Sequence, residues 1–326
     1  MKFKILTFLV VVAIFAPTIS FGQITTTKVA SKTDQIANTS YDSTRNFLSK
    51  DVNQYLGQVL YLNGKAESLR KYGYEGFLID FTKDKYTNKS NIYKCCENYN
   101  SKYDELVGKY FKVLEVNKHP KLLENEYLYG KKFYLKLQEN ESEDIVYYEY
   151  DSEFEHSFPF IVVGFFENLK KKALGNKFVF GKTNLRFGND EADVQKGKII
   201  EFELGEEWEC FDVTIEEKYY RLSLLLKDND EQVLAINYEM AIGSKKFHDV
   251  FTKEEANAYK TKFGLEIWHT ILQGKVWIGM TQEMCRLSWG EPKNINQTTT
   301  SNKKTEQWVY SDNYLYFDNG ILTAIQ

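Results

Sequence analysis

The sequence predicts a mainly β protein that ends in a smaller α+β module. Between residues 51 and 243, short segments rich in Tyr and Phe alternate apolar with polar residues, which is the period of antiparallel strands with one buried face. After residue 243 the apolar residues first recur every three to four positions and then alternate again, which indicates helices followed by a small sheet. We therefore expect tandem small antiparallel β-units, each an SH3-like barrel or an open sandwich, followed by a two-helix, three-stranded layer.

The N-terminus predicts export. Lys2 and Lys4 precede an uncharged apolar run at residues 5–16, which is too short to span a bilayer core of about 30 Å. Small residues then precede a cleavage position after Gly22, so residues 1–22 are predicted to be a signal peptide. The first cysteine is Cys95, which argues against a lipid anchor at the mature N-terminus. The mature protein is expected to be periplasmic, on the cell surface or secreted.

The composition of the mature chain argues against two classes of protein. The 42 basic groups less Lys2 and Lys4 leave 40 against 46 acidic groups, with no basic block, so nucleic acid is not expected as a partner. No later run approaches the length of apolar residues that a membrane span needs, so we expect no transmembrane segment in the mature chain. Peripheral association with the outer membrane is compatible with this composition. Residues 23–50 are rich in Thr, Ser, Lys and Asp and are predicted to be a flexible polar linker.

Three segments share a degenerate pattern of an apolar residue, Gly, two further residues and then alternation. The copies lie around Gly57, Gly108 and Gly175. Each is followed by further alternating segments, such as GKIIEFEL at 197–204 in the third copy. We interpret the pattern as three β-units, at 51–105, 106–170 and 171–243. Chance similarity among strands that begin near a glycine remains the alternative.

The helices of the C-terminal part have recognisable ends. Thr252 and Glu255 form a capping box at the start of an amphipathic helix, and Gly264 is expected to break this helix in two. The next helix is predicted to begin after Thr281, whose hydroxyl can cap it, and to end at Gly290.

Three short strands are predicted to complete this module, which spans 244–326. They are EQWVY, YLYF and ILTAI, and Asn319-Gly320 between the last two predicts a tight hairpin because both residues tolerate positive φ. The order of elements is therefore helices first and a meander last.

The C-terminal module resembles a known family. The segment Ile278-Gly279-Met280-Thr281 is followed by a helix to Gly290-Glu291-Pro292 and then by EQWVY and YLYFDNGILTAIQ. In this order of motifs, residues 250–326 resemble the SmpA/OmlA (BamE-like) family, which implies the two-helix, antiparallel-sheet fold of BamE and of the β-lactamase inhibitor proteins (BLIP-like). The matching residues are interpreted as mainly structural, namely Gly279, Met280, Thr281, Gly290, Pro292, Asn319 and Gly320. The chain differs from BamE, a lipoprotein of the outer-membrane β-barrel assembly machinery, in lacking the lipid-bearing cysteine and in carrying the three β-units.

The titratable residues predict neither a metal site nor a cofactor site. The histidines lie far apart in sequence, without the HxH or HExxH spacing that places two ligands on one face; they are His119, His156, His248 and His269. Neighbouring acids fall on predicted turns or caps rather than in a catalytic pair, at Glu153/Glu155, Glu206-Glu207 and Glu254-Glu255. Asp228-Asn229-Asp230 lacks the glycine and the distal glutamate of a calcium loop and is read as a hairpin turn. No enzymatic activity is therefore expected.

The four cysteines also lack a site-forming pattern. None of the CxxC spacings of zinc and redox sites occurs among Cys95, Cys96, Cys210 and Cys285. Cys95 and Cys96 are neighbours on a predicted strand, so their side chains are expected on opposite faces. In an oxidising compartment one disulfide between distant positions is conceivable, and the sequence leaves the pairing open.

The leading functional hypothesis is an exported, non-catalytic cell-envelope protein that acts as a protein-interaction scaffold through its C-terminal module. Its partner would be another envelope protein, and the surface would include the large side chains with polar tips at Trp277, Trp308, Tyr310 and Tyr314. One alternative is an inhibitor or immunity-type protein that plugs the cleft of a soluble enzyme. Another is a glycan- or peptide-binding envelope protein that uses exposed aromatic residues. A hydrolase whose carboxylates meet only in the folded chain is a further alternative.

Overall fold

The protein is mainly β, as predicted, and the strands of its described residues form four antiparallel sheets. A computed structural model describes residues 40–182, 203–216, 219–243, 245–300 and 303–326. The predicted signal peptide at 1–22, most of the predicted linker and most of the predicted strand at 197–204 lie outside these ranges. Within them, no helix has the length and apolar character needed to cross a membrane.

The first large sheet has six strands and draws on two of the predicted units. Its spatial order is β2-β7-β6-β5-β1-β8, with bounds β1 Val59–Leu62, β2 Phe77–Leu78, β5 Tyr110–Lys118, β6 Lys132–Glu139, β7 Ile145–Asp151 and β8 Phe160–Val162. Leu60 of β1 lies opposite both Phe111 of β5 and Val162 of β8. The boundary predicted at 105/106 therefore runs through one sheet. This happens because β1 pairs with strands that lie about 50 and 100 residues later, which local patterns do not reveal.

The long connection between β1 and β5 carries small elements of its own. They are the helix α1 Glu67–Arg70, the two-stranded hairpin of β3 Cys95–Glu97 and β4 Asn100–Ser101, and the helix α2 Tyr103–Leu106. A further short helix, α3 Glu126–Tyr129, lies between β5 and β6.

Apart from the edge strand β2, the second large sheet repeats the strand order of the first. Its five strands have the order β12-β11-β10-β9-β13, with bounds β9 Lys177–Phe180, β10 Trp208–Glu216, β11 Arg221–Lys227, β12 Val233–Asn237 and β13 Val250–Thr252. In both sheets a four-stranded meander is completed by a fifth strand that returns beside the first, and in both the second strand carries a register shift. Neither sheet closes into a barrel over its described residues, so of the two predicted forms the SH3-like barrel is not observed there.

The glycine pattern marks turns that begin strands. At Leu56-Gly57, Val107-Gly108 and Leu174-Gly175 the first residue has φ near −55° and ψ between 126° and 133°, and the glycine has φ of 77° or 78°. These are type II turns, whose third position needs positive φ. A fourth turn at Leu204-Gly205 has φ +88° at the glycine and a hydrogen bond from Glu206 N–H to Glu203 O. The turn therefore precedes β1 and β5 in the first sheet and β9 and β10 in the second, which are the first two strands of each four-stranded meander, rather than each of three units.

The two large sheets share one hydrophobic core. Helix α4, Val163–Ala173, follows β8 directly and buries Phe165, Phe166 and Leu169 in a cluster that extends from Leu48 to residues of both sheets. The part of the predicted linker that the structure describes belongs to this assembly, since Leu48 is fully buried.

Asn46 closes the outer edge of β8. Its amide nitrogen donates to Phe160 O at 2.8 Å, and its amide oxygen accepts from Val162 N–H at 2.8 Å. These are the two bonds that a further strand would make, so one side chain covers an edge that would otherwise be open.

Beyond strand β13, the described residues of the C-terminal module form three helices and four strands. After the short helix α5 Tyr238–Ala241 and strand β13, the helices are α6 Lys253–Phe263, α7 Leu265–Leu272 and α8 Gln282–Trp289. The strands, in spatial order, are β14 Asn294–Thr299, β15 Lys304–Val309, β16 Tyr314–Asp318 and β17 Ile321–Ile325. The prediction of three strands is wrong because β14 has the sequence NINQTT, all of it exposed, and so lacks the apolar alternation of a half-buried strand.

The end signals of this module are confirmed. Thr252 and Glu255 form both bonds of a capping box, the helix breaks at Gly264, and the Thr281 hydroxyl accepts from Met284 N–H. Asn319 and Gly320 both have positive φ in the last hairpin. A second core joins the module to the outer face of the second sheet, through Val179, Phe251, Trp268, Trp308 and Phe317.

Candidate binding groove between the two sheets

The β10–β11 hairpin reaches across to the first sheet through one tyrosine. Asn63 Nδ2 donates to Tyr220 O at 2.7 Å, and Arg70 Nη2 donates to the Tyr220 hydroxyl at 3.2 Å. The Arg70 guanidinium also lies 5.7 Å from the centre of the Tyr220 ring. Gly64 admits the ring, because a Cβ at this position would lie 1.9 Å from Tyr220 Cε1. We call these contacts the Tyr220 bridge; they fix how the two sheets meet.

The loop that receives this tyrosine is itself well anchored. Asn63 N–H donates to Pro159 O at 3.0 Å, and Asn63 O accepts from the Tyr74 hydroxyl at 2.7 Å. The Lys65 amine donates to Gly73 O at 2.5 Å. The loop is therefore fixed to the first sheet, and the Tyr220 bridge joins the loop to the second sheet.

A cavity of about 580 Å³ opens beside the Tyr220 bridge. It lies between residues 63–72, the segment 155–161, the start of β11 and the end of β12. Three large apolar side chains at its mouth stay exposed, namely Leu69 at 50%, Tyr72 at 47% and Tyr219 at 38%. Exposed apolar groups gathered at a concave site, rather than scattered singly, are typical of binding surfaces.

Two smaller cavities share walls with the central one. The first, of about 330 Å³, lies between residues 43–47 and helix α4, and the second, of about 460 Å³, lies along β7. The 3-10 turn Glu155–Ser157 contributes to all three cavities. Beside it, the half-exposed Phe154 packs edge-on against His156 at 5.5 Å between ring centres. We call the three cavities together the inter-sheet groove.

The phenols of Tyr148 and Tyr238, which line the groove, remain protonated and neutral. Burial raises the pKa of Tyr238, and both its hydrogen bond with Glu239 and the negative charge of Glu155 raise it further. Burial also raises the pKa of Tyr148, whose hydroxyl donates to Ser157 O at 2.8 Å. These hydroxyls hold the backbone and neighbouring side chains in place. Their arrangement supports binding by a preformed surface.

The aromatic residues predicted as an interaction surface do not form one patch. Trp308 is completely buried; its Nε1–H donates to Glu306 Oε2 at 2.8 Å, and the Arg286 guanidinium covers its ring. Tyr310 donates its hydroxyl proton to Gly290 O at 3.0 Å, while Trp277 is half-buried against the second core. Tyr314 alone of the four is exposed. Trp308 cannot therefore contact a partner, because it fills the space between helix α8 and the sheet.

The residues interpreted as a structural motif do lie at structural positions. Met280 is buried, Gly279 N–H donates to Leu322 O at 2.8 Å, and Thr281 pairs with Ile321. A Cβ at Gly290 would lie 2.9 Å from His248 Nδ1, so this glycine permits a close approach. Pro292 follows just before β14.

Three of the acidic neighbours singled out in the sequence, Glu153, Glu207 and Glu255, have separate structural partners, and Glu153 pairs with Lys131. Glu207 pairs with Lys253 at 3.0 Å, and Glu255 caps helix α6 and pairs with Lys246. Asp228 accepts from Asp230 N–H and Gln232 N–H, which confirms the hairpin turn. Across the described ranges, no group of three or more His, Cys, Asp or Glu residues is arranged to hold a metal ion.

The cysteines divide into an adjacent pair and two separate thiols. Cys95 and Cys96 are joined by a disulfide, and the expectation that they face opposite sides is wrong because the register of β3 shifts between Cys95 and Glu97. Cys210 and Cys285 are free and buried, one in each core.

Comparisons of the chain with protein-family models, with curated proteins and with solved structures found no match. The sequence did not predict the groove, because its walls come from segments up to about 200 residues apart that only tertiary packing brings together. One local feature of the sequence did point to this site. Tyr219 and Tyr220 stand together in a hairpin turn, where small and polar residues are the usual choice.

Proposed function

We propose that the protein is an exported, non-catalytic cell-envelope protein that captures an extended polypeptide segment of a partner in the inter-sheet groove. The observation that carries this proposal is the gathering of Leu69, Tyr72 and Tyr219 as exposed apolar side chains at one concave site. Binding a segment there would remove their apolar surface from water, which is the main favourable term in association.

The preformed shape of the groove supports binding with little ordering cost. The Tyr220 bridge joins the two sheets, and a continuous core lies behind them. A surface that is already rigid loses less conformational entropy on association than one that must order itself. The central cavity shares lining residues with each of the other two, and three adjoining cavities suit an extended segment better than a compact small molecule.

The C-terminal module has a supporting role in this proposal. It is packed on the second sheet through the second core, and its resemblance to the BamE-like family motivates a role in holding the protein at an envelope assembly. Leu265 and Ile278 are its most exposed apolar side chains and are the places where such a contact would form.

A photo-crosslinking experiment separates these two surfaces. A photoreactive phenylalanine analogue is placed at Tyr72 in the groove or, as a matched control, at Leu265 on helix α7, and intact cells that express the exported chain are irradiated. We expect the partner segment to be recovered in covalent linkage to position 72 and to be identified by mass spectrometry as one contiguous peptide. Crosslinks to a protein at position 265 alone would reject the groove and return the docking role to the C-terminal module.

A further inference from the structure

We infer that the segment held in the inter-sheet groove is basic, with a Lys or Arg between apolar side chains; this inference rests on the proposed function. It concerns the central cavity and the cavity along β7. Five carboxylates line these two cavities, namely those of Glu75, Glu149, Asp151, Glu155 and Glu239. Three cationic side chains line the same two cavities, namely those of Lys65, Lys132 and Arg221. The lining of these two cavities is therefore negative, which favours a positively charged occupant there. The third cavity adds the cations Arg45 and Lys172, so we expect the basic residue of the segment at the central cavity and along β7 and not beside helix α4.

The three cations are already engaged within the fold. Lys132 pairs with Glu149 at 3.3 Å, Arg221 lies 3.9 Å from Glu216 outside the cavities, and the Lys65 amine donates to a backbone carbonyl. An acidic segment would have to compete with these contacts, and such competition lowers its affinity.

Two of the carboxylates have no cation of their own. In the described part of the chain, neither Asp151 nor Glu155 forms an ion pair within 4.0 Å. They stand four residues apart in the segment that also carries Phe154 and His156; Asp151 lines the cavity along β7 with both rings, and Glu155 lines the central cavity with His156. A basic side chain that enters between the cavities would meet a carboxylate and an aromatic face together, and a cation binds favourably to both.

The apolar neighbours of that basic residue would occupy the central cavity. Phe158, Phe165 and Tyr238 line it, with Leu69 and Tyr72 at its mouth. Apolar area there supplies affinity, while the charges select among segments. The charges of the lining therefore determine which segments the proposed site prefers.

Selection from a displayed library of random heptapeptides on the purified exported chain tests this inference. We expect retained sequences to be enriched in Lys and Arg over Asp and Glu at one position, with apolar residues on both sides. A selected peptide with one Lys and the same peptide with Gln in its place are then compared by fluorescence anisotropy. The Lys peptide should bind about tenfold more tightly.

Two variants make the result specific. The double variant Asp151→Asn with Glu155→Gln keeps the shape of both side chains and should abolish the preference for Lys, while the Gln peptide binds as before. The matched control Asp104→Asn with Glu124→Gln removes two exposed carboxylates outside the cavities and should leave the preference unchanged.

The outcomes separate this inference from the proposed function. Peptides that lose binding in Tyr72→Ser but show equal use of basic and acidic residues would overturn the basic segment and leave the groove as the binding site. Selected peptides whose binding is unaffected by Tyr72→Ser, or no selected peptides at all, would overturn both.

Discussion

Replacing Gly64 with Ala is expected to break the Tyr220 bridge. The new Cβ would lie 1.9 Å from Tyr220 Cε1, about half of an ordinary carbon–carbon contact distance, so the ring must leave its place. The backbone of the loop cannot yield instead, because Asn63 is bonded to Pro159 O and to the Tyr74 hydroxyl. Displacement of the ring removes the hydrogen bond from Arg70 and the contact between its guanidinium and the Tyr220 ring.

The expected cost follows from the contacts that are lost. One side-chain hydrogen bond contributes about 1 kcal/mol and a partly exposed cation–π contact about 0.5–1 kcal/mol. Strain from the added methyl group contributes about 1 kcal/mol more. We therefore expect Gly64→Ala to lower the free energy of unfolding by about 2–3 kcal/mol and the partner-binding affinity of the groove with it.

Urea unfolding followed by tryptophan fluorescence measures this cost, and a double-mutant cycle assigns it. In a Tyr220→Ala background there is no ring to displace, so Gly64→Ala should then cost less than about 0.5 kcal/mol. Equal costs of Gly64→Ala in the two backgrounds would refute the reasoning, because the steric conflict would then lie elsewhere than in the Tyr220 bridge.

Three further outcomes are expected. Gly57→Ala should destabilise the protein by about 1 kcal/mol and Gly57→Asn by less. No atom lies near the new Cβ, so the cost comes only from the positive φ, which Asn tolerates better than Ala. Equal urea midpoints for the two variants would contradict this. The pKa of Glu306 is held below its ordinary value by hydrogen bonds from Lys304, Trp308 and Gln282, which together outweigh burial. The loss in free energy of unfolding caused by Glu306→Gln should therefore be greatest above pH 5 and should diminish as the pH falls below 4. A loss that stays constant across this pH range would contradict the prediction. Burial raises the pKa of the Cys210 and Cys285 thiols to about 12, so iodoacetamide at pH 8 should alkylate both only at the rate of unfolding; faster labelling detected by mass spectrometry would contradict their burial.

The local signals in the sequence predicted local structure well. The capping residues at Thr252 and Thr281 and the hairpin at Asn319-Gly320 act within four residues of chain, so their geometry is determined by the residues themselves. The glycine turns also formed where the pattern placed them. Their interpretation as starts of whole units was less successful, because the same turn begins two strands in each sheet.

The features that the sequence did not predict depend on distant contacts. Strand β14 is stabilised by pairing with β15 and not by its own side chains, so its polar sequence carries no strand period. Trp308 was expected at the surface, but it shares a face with Glu306, which Gln282 and Lys304 hold in a buried position. The groove itself exists only where the loop at Asn63 meets the hairpin at Tyr220.

The repeated strand order has a consequence for folding. Two sheets of one topology offer equivalent partners to each other's strands, and mispairing between similar units is a common fault of tandem proteins. The order of the strands along the chain limits this fault, since the first sheet is complete at Val162 and the first strand of the second begins at Lys177. A chain that is released N-terminus first can finish one sheet before any competing strand arrives. The second sheet then folds against the completed first sheet, and helix α4 packs in the core that the two sheets share.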